Sequence, residues 1–462
     1  MKIHIKDDLR KDLIFFSIFF LIAFIWLVNS PNFFSLLEPD SMSYADGDAV
    51  RTSIYPFIIK VFYTEDSKYI YLIYFQIFFL TFSLIFLLFI LRRQGQDLFV
   101  IFIIYLFFFA NIYYISFAKT ILTEAFFFSL INFSTSLLLL EKKLSKSYFF
   151  SATFGLVIGG IYAIKSVGFI LFFFFFLSFL FFSIKYKKIK QILVCLIFSS
   201  IIPFLEHKIY FEIFESRSNV FSKSIVGKIF VLSGSPQVKF ENYDENQKSF
   251  LSIFKNDSKL IHSYISKLKN PFLIANLKAD YEVVGQYQYE KQINEFKLNS
   301  GIQNFDHFKK QLGFKIVLSN PIEFMKVSLW HYFGLWSPGG KQLLVKNYED
   351  LPLKSMLKNS SGYMISLNKI ILFIAICFFS LLLFTFTIFS IRSILIILRR
   401  EWEKFDAYNC LCLICQIYLF SVSITNIATP RYLMPFYPVV LIIFCFYIKE
   451  GLFIIRKKKA NS

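Results

Sequence analysis

No cysteine stands in a polar stretch of this chain. All six (Cys195, Cys377, Cys410, Cys412, Cys415 and Cys445) fall within oily runs. No disulfide is therefore expected in the polar segments, and Cys412-x-x-Cys415 reads as helix packing rather than a redox pair. Histidine is also scarce, with five in 462 residues. None lies close in sequence to the acid pairs Glu38-Pro-Asp40 and Asp46-Gly-Asp48, so a divalent metal stays open but lacks a third ligand there. No internal repeat marks the chain, which counts against a secondary transporter. No small-x-small cleavage pattern follows the first oily run between Asn29 and Asp40, so that run is read as a span and not a removed leader. Arginine is nearly missing from residues 206–365, where only Arg217 occurs among many lysines.

What fills the chain instead is apolar bulk. It is 56% hydrophobic and holds 65 Phe, and several runs reach the ~20 residues that a bilayer-spanning helix needs. Ten spans are expected, near 13–28, 69–91, 98–117, 121–140, 148–164, 167–184, 191–205, 366–390, 407–424 and 433–448. Lys and Arg gather in every second connection: 2–11, 92–93, 141–147, 185–190, 392–404 and the 456–459 tail. By the positive-inside rule these are cytoplasmic, and so are both termini. The expected fold is an all-α polytopic bundle with a non-cytoplasmic helical segment. Its parts are residues 1–205 with a first outer loop at 29–68, the outer segment 206–365, and a closing membrane block at 366–462. The net charge of +19 follows from the inner-face bias and points to anionic lipid. Basic clusters scattered over six loops form no nucleic-acid groove.

The outer segment is read as polar, with too little apolar content for a large core. Helical periodicity runs through 276–330 (Leu277, Tyr281, Val284, Phe308, Leu312, Ile316), and 239–260 reads as solvated loop or short helices. Residues 322–336, with Trp330, His331, Tyr332 and Trp336, are expected to lie flat at the outer interface, His331 as one more headgroup-level ring.

The chemistry is expected in the first outer loop, where Glu38, Asp40, Asp46, Asp48 and Arg51 crowd against lipid at a cost that calls for a reason. Asp40 reads either as a helix N-cap or as a general base. If 40–51 is one helix, Asp40, Tyr44 and Arg51 fall within about 40° of one another, with Asp48 close by. A carboxylate and a guanidinium on one face divide the work, one taking a proton and the other holding an anion. The alternative for Arg51 is a snorkelling interfacial cation. Glu124 sits one turn into the fourth span, with Lys119 as its nearest expected cation and a structural ion pair as the alternative role. Lys165 and Arg431 are the cations at the outer ends of the fifth and tenth spans. Prolines on both sides of Arg431 require packed protein or water around them.

These residues resemble the GT-C class of integral-membrane glycosyltransferases, which includes protein O-mannosyltransferases and the lipid A aminoarabinose transferase. Glu38-Pro39-Asp40-Ser-x-Ser-Tyr44 followed by Arg51-Thr-x-x-Tyr55-Pro56 is similar to the acidic motif of the class's first outer loop. Leu122-Thr-Glu124 is similar to its second acidic position, and Arg431-Tyr432-x-x-Pro435 to the opening of its last span. Asn320-Pro321-x-x-Phe-x-Lys326 is similar to the segment before a later span. Ser53-Ile54 departs from the usual Pro-Gly-like pair. The resemblance implies inverting sugar transfer from a polyprenyl-phosphate donor to a glycan, lipid or protein hydroxyl on the non-cytoplasmic face, in a bacterial inner membrane. Asp40 and Glu124 would be the catalytic acids. Glu38, Tyr44, Asp48, Arg51, Lys119, Lys165 and Arg431 would meet the substrates. The inner loops are too short for a nucleotide-sugar domain. An O-antigen polymerase or ligase would carry an Arg-rich outer loop, and a lipid-glycan flippase would carry charges in mid-span.

Overall fold

The computed structural model describes residues 2–31, 36–37, 39–45, 51–66, 68–144, 146–213, 221–236, 238–269, 274, 277–278, 280–282, 284–285, 288–336, 352–353, 369–425 and 430–447. Among them every regular element is a helix. The chain divides into two compact units, one of 1–217, 382–418 and 434–462, the other of 218–381 and 419–433.

The first unit begins with α1 (Lys2–Asn29), the short α2 (Pro39–Ala45), α3 (Ile54–Phe62) and α4 (Ile70–Arg93). Next come α5 (Leu98–Phe109), α6 (Ile112–Lys119), α7 (Glu124–Leu139) and α8 (Glu141–Leu144). Then α9 (Tyr148–Ile164), α10 (Gly168–Lys185) and α11 (Lys190–Ile213) follow. Late in the chain stand α18 (Lys369–Leu398), α19 (Ala407–Thr425) and α20 (Met434–Tyr447), the first two shared between the units.

Six helices (α1, α4, α10, α11, α18 and α19) are long and apolar enough to cross a membrane, which by length and composition makes this an integral membrane protein. Among the described residues each of the ten oily runs is mostly helical, but they differ. The expected span over 98–117 is broken between α5 and α6 by a 58° bend, where Asn111 caps α6 by accepting from the Tyr113 N–H at 2.9 Å. Apolar α7, α9 and α20 are shorter than 18 residues. Side chains such as Leu13, Ile25, Phe99 and Phe169 point outward, as lipid-facing surfaces do.

The ends of these helices sort by chemistry. At one end Arg92 and Arg93 face Asp12 at 3.6 and 3.8 Å. Tyr186 donates to Glu141 at 2.7 Å, Gln94 to the Leu139 carbonyl, and Lys185 to the Phe405 carbonyl at 2.8 Å. The other end of the same helices carries the first loop. Glycines let two backbones meet between: a Cβ on Gly155 or Gly159 of α9 would lie 2.5 Å from the Cys195 or Ser199 carbonyl oxygen of α11.

The second unit contains α12 (Phe221–Ser233), α13 (Glu245–Ser252), α14 (Lys255–Ser266), α15 (Glu290–Asn299), α16 (Phe305–Ser319) and α17 (Pro321–Leu335). The expectation of too little apolar content for a core does not hold. Phe230, Phe250, Leu251, Phe254, Leu277, Tyr281, Val284, Leu312 and Ile316 bury together. Phe250 meets the rings of Phe254, Phe296, Phe305 and Phe308 at centroid distances of 5.3 to 5.9 Å. Asp244 and Asn304 cap α13 and α16 by accepting from the Gln247 and His307 N–H groups.

Candidate functional site

The loop after α1 folds over the less basic end of the first unit. Asp40 opens α2, and Ser43 closes back on the Asp40 carbonyl at 2.6 Å. Of the supposed helix over 40–51, residues 46–50 lie outside the described residues. α2 is described over Pro39–Ala45, and Arg51 sits on a bend. The three residues still come together. Arg51 Nη2 donates to Asp40 Oδ1 at 2.7 Å, Nε donates to Ser43 Oγ at 2.8 Å, and Nη1 reaches Tyr44 Oη at 3.4 Å. The guanidinium carbon stands 4.6 Å from the centre of the Tyr44 ring, a cation–π contact that fixes the plane of the fork. Asp40 and Arg51 keep 33% and 23% of their side chains exposed. Arg51 is thus held against Tyr44 and Asp40. Glu38, Asp46 and Asp48 lie outside the described residues.

The segment carrying Arg51 is pinned by its next two residues. Thr52 donates to the Ile164 carbonyl at the end of α9, 3.0 Å away. The Ser53 N–H donates to Glu206 Oε1 at 3.2 Å, and its hydroxyl donates to the Glu206 carbonyl at 2.9 Å. Tyr55 packs edge-on against Tyr44 with ring centres 5.2 Å apart. Its hydroxyl donates to Gln76 Oε1 at 2.8 Å, and Gln76 donates to the Thr120 carbonyl at 2.9 Å. Burial pushes the Tyr55 phenol well above its ordinary value, with Tyr44 and Glu124 adding to the shift, so it acts as a donor.

Glu124 is buried at the start of α7, but its partner is not Lys119. Lys165, just past α9, reaches Glu124 Oε1 at 2.7 Å and lies over the Phe127 ring. Lys119 turns instead to the Ser30 and Val28 carbonyls at the end of α1. The ion pair forms because α7 and α9 are neighbours in space, whereas Lys119 and Glu124 are separated by the non-helical turn 120–123. Arg431 belongs to the second unit, on a 3-10 turn at Pro430–Tyr432, with its guanidinium 5.4 Å from the Tyr432 ring centre.

Sequence reasoning passed over Glu206 and Gln76. Both are buried polar groups in oily helices, and a lone acid or amide at such a place needs a partner; that was the available signal. It also misread His331. The ring is fully buried, not at headgroup level. Lys228 Nζ donates to Glu282 Oε1 at 2.9 Å and stands 3.1 Å from His331 Nδ1. An ammonium only donates, so Nδ1 accepts and the ring proton is on Nε2, 3.3 Å from Glu282 Oε1. Burial pushes the Glu282 carboxyl up, against the pull of Lys228. It also lowers Lys278, which Glu323 partly offsets. This network ties α12, the 280–282 stretch and α17 together. A cleft of about 340 Å³ in the second unit, lined by Glu290, Asn294, Lys297, Asp306 and Lys309, contains none of the candidate residues.

Among the described residues no group of three or more His, Cys, Asp or Glu is arranged to hold a metal ion. The grouping around Arg51 offers the chemistry of the Asp40 carboxylate, the guanidinium itself and the Tyr44 phenol, with the locked Tyr55 phenol behind it. No family model, curated protein or solved structure matches this chain.

Proposed function

We propose that this chain is a membrane glycosyltransferase of the GT-C kind, moving a sugar from a polyprenyl-phosphate donor to an acceptor hydroxyl with inversion. The observation that carries the reading is the 2.7 Å pairing of Asp40 with Arg51 on the loop between the first two long apolar helices. A lipid phosphate keeps its tail in the bilayer and presents its charge at the depth of such a loop. Arg51 matches it as a two-pronged donor. Lys119 and Lys165 are engaged with carbonyls and with Glu124, as Arg51 is with Asp40; of the three, Arg51 has the forked geometry that suits phosphate oxygens.

The step follows from that exchange. Donor phosphate draws the fork off Asp40 and frees its carboxylate as a base. The acceptor hydroxyl gives its proton to Asp40 while its oxygen bonds the anomeric carbon from the face opposite the phosphate. The bond from anomeric carbon to phosphate oxygen breaks, its electron pair stays on the polyprenyl phosphate, and Arg51 balances the growing charge. Glu124, neutralised by Lys165, holds the α7–α9 floor beneath. The basic end, with Arg92, Arg93, Lys142, Lys185 and Arg399, is cytoplasmic in this reading. The loop then faces the periplasm of a bacterial inner membrane, with ten crossings and both termini inside.

Envelope-glycan mass spectrometry tests it in cells that carry the wild-type chain, none, or Asp40→Asn at equal membrane level. Loss of one sugar in the last two, with build-up of its polyprenyl-phosphate precursor, is the expected result. Unchanged glycans in both would overturn the reading.

A further inference from the structure

The second unit exposes an apolar stripe on one helical hairpin. Leu318 closes α16 and is 77% exposed; Ile322 opens α17 at 63%. Met325, Leu329 and Phe333 continue outward along α17. Positions 322, 325, 329 and 333 recur at helical spacing and share one face. The opposite face buries Val327, Ser328, His331 and Leu335. The outward face is therefore apolar, and of the four rings expected to anchor 322–336, His331 and Trp336 are turned inward while Trp330 and Tyr332 are half-buried. Elsewhere among the described side chains of α12 to α15 the large exposed apolar residues are Leu260 and Leu298, far apart in sequence. Scattered apolar residues on a surface are ordinary, whereas a contiguous stripe marks an interaction face.

We propose that the α16–α17 hairpin lies on the bilayer with this stripe among the lipid acyl chains. Two observations select lipid. First, α17 packs against the Pro430–Tyr432 turn, which joins the membrane-crossing α19 to the apolar α20. A turn between such helices sits at a membrane face, and α17 shares its level. Second, Lys326 flanks the stripe with 58% of its side chain exposed, 3.5 Å from Glu323. A lysine beside an apolar face is suited to send its ammonium up to lipid phosphates. The proposal rests on the membrane character of the chain and stands whether or not it transfers sugar.

The test uses the full chain in lipid nanodiscs. Cys377, the exposed native cysteine, is replaced by Ser. Leu318→Cys, Leu329→Cys and, as control, Glu295→Cys on α15 each carry an environment-sensitive fluorophore. Probes at 318 and 329 should emit at shorter wavelength than the control and be quenched several-fold more by nitroxide-bearing lipids. Solvent-like emission quenched by aqueous iodide would overturn the proposal. So would shifted emission without lipid quenching, which would mean that a second copy or another segment of this chain covers the stripe.

Discussion

Arg51 makes its contacts by shape as much as by charge: one fork reaches Asp40, Ser43 and Tyr44 at once. A lysine keeps the charge and loses the fork. Arg51→Lys should therefore raise the donor concentration needed for half-maximal transfer and leave acceptor dependence close to wild type. Arg51→Ala should do so more strongly. Equal activity of Lys and Arg in a purified assay would remove bidentate recognition from the mechanism. Lys165 supports a different expectation. Removing it leaves the buried Glu124 carboxylate without its ammonium, a loss of about 3–5 kcal/mol for a buried pair. Lys165→Met should lower the thermal midpoint in detergent clearly, and adding Glu124→Gln should restore most of it. In the second unit, burial pulls His262 below its ordinary value, with Lys278 and Lys326 adding and Glu323 opposing. A base depressed in the folded state binds more protons unfolded, so its contribution is present above about pH 6.5 and fades as pH falls through the lowered value. Protection factors across α14, with the intrinsic pH dependence of amide exchange divided out, should fall between pH 7 and 5, and His262→Asn should flatten that dependence. At this scale the sequence reading reached the Asp40–Tyr44–Arg51 grouping because those residues are close in the chain. It missed Lys165 for Glu124 and Glu282 for His331 because partners 41 and 49 positions away meet only through helix packing.

Packing of that kind is set by small residues at the element scale. Gly159 faces the α11 backbone, where an added Cβ would stand 2.5 Å from the Ser199 carbonyl. Its neighbour Gly160 faces side chains, the Leu130 methyls at 3.3 and 3.4 Å and the Ile202 Cδ1 at 3.8 Å. Gly159→Ala must push the helices apart and should cost about 1–3 kcal/mol. Gly160→Ala needs only a side-chain adjustment and should be close to neutral. Equal thermal midpoints for the two variants would mean that α9 and α11 separate freely. The oily helices were legible because each is a local run of apolar residues, although the break between α5 and α6 was not. The core of the second unit was not, since α13, α14 and α15 each give it only one or two large apolar residues. Phe250, Phe296 and Phe305 meet across 55 positions of sequence. No local window carries such a signal, and composition alone reads the segment as solvated.

Across the whole molecule the open quantity is the number of crossings, and the short helices decide it. α7 and α9 have 16 and 17 residues, about 24–26 Å against a hydrocarbon core of roughly 30 Å. Their ends nonetheless meet opposite chemistry. α7 starts at the Glu124–Lys165 pair and finishes where Gln94, past the end of α4, donates to the Leu139 carbonyl. α9 begins beyond α8 and finishes at Ile164, which accepts from Thr52 of the first loop. Each therefore passes from one polar layer of the first unit to the other, and under the proposed ten crossings local bilayer thinning of a few ångströms would accommodate both. Cysteines placed at Asp66 and Ser166 should then react with a membrane-impermeant maleimide in intact cells lacking Cys377. Cysteines at Gly95 and Lys143 should react only after permeabilisation. All four positions are solvent-accessible at helix ends, so silence in intact cells reports sidedness and not burial. Labelling at 143 from outside would make α7 a re-entrant helix, reduce the count of crossings, and put the basic connections after α7 on the same side as Asp40. Labelling at both 66 and 166 with none at 95 or 143 would leave the Asp40 loop and the Glu124–Lys165 pair on one face, where lipid phosphate can reach them together.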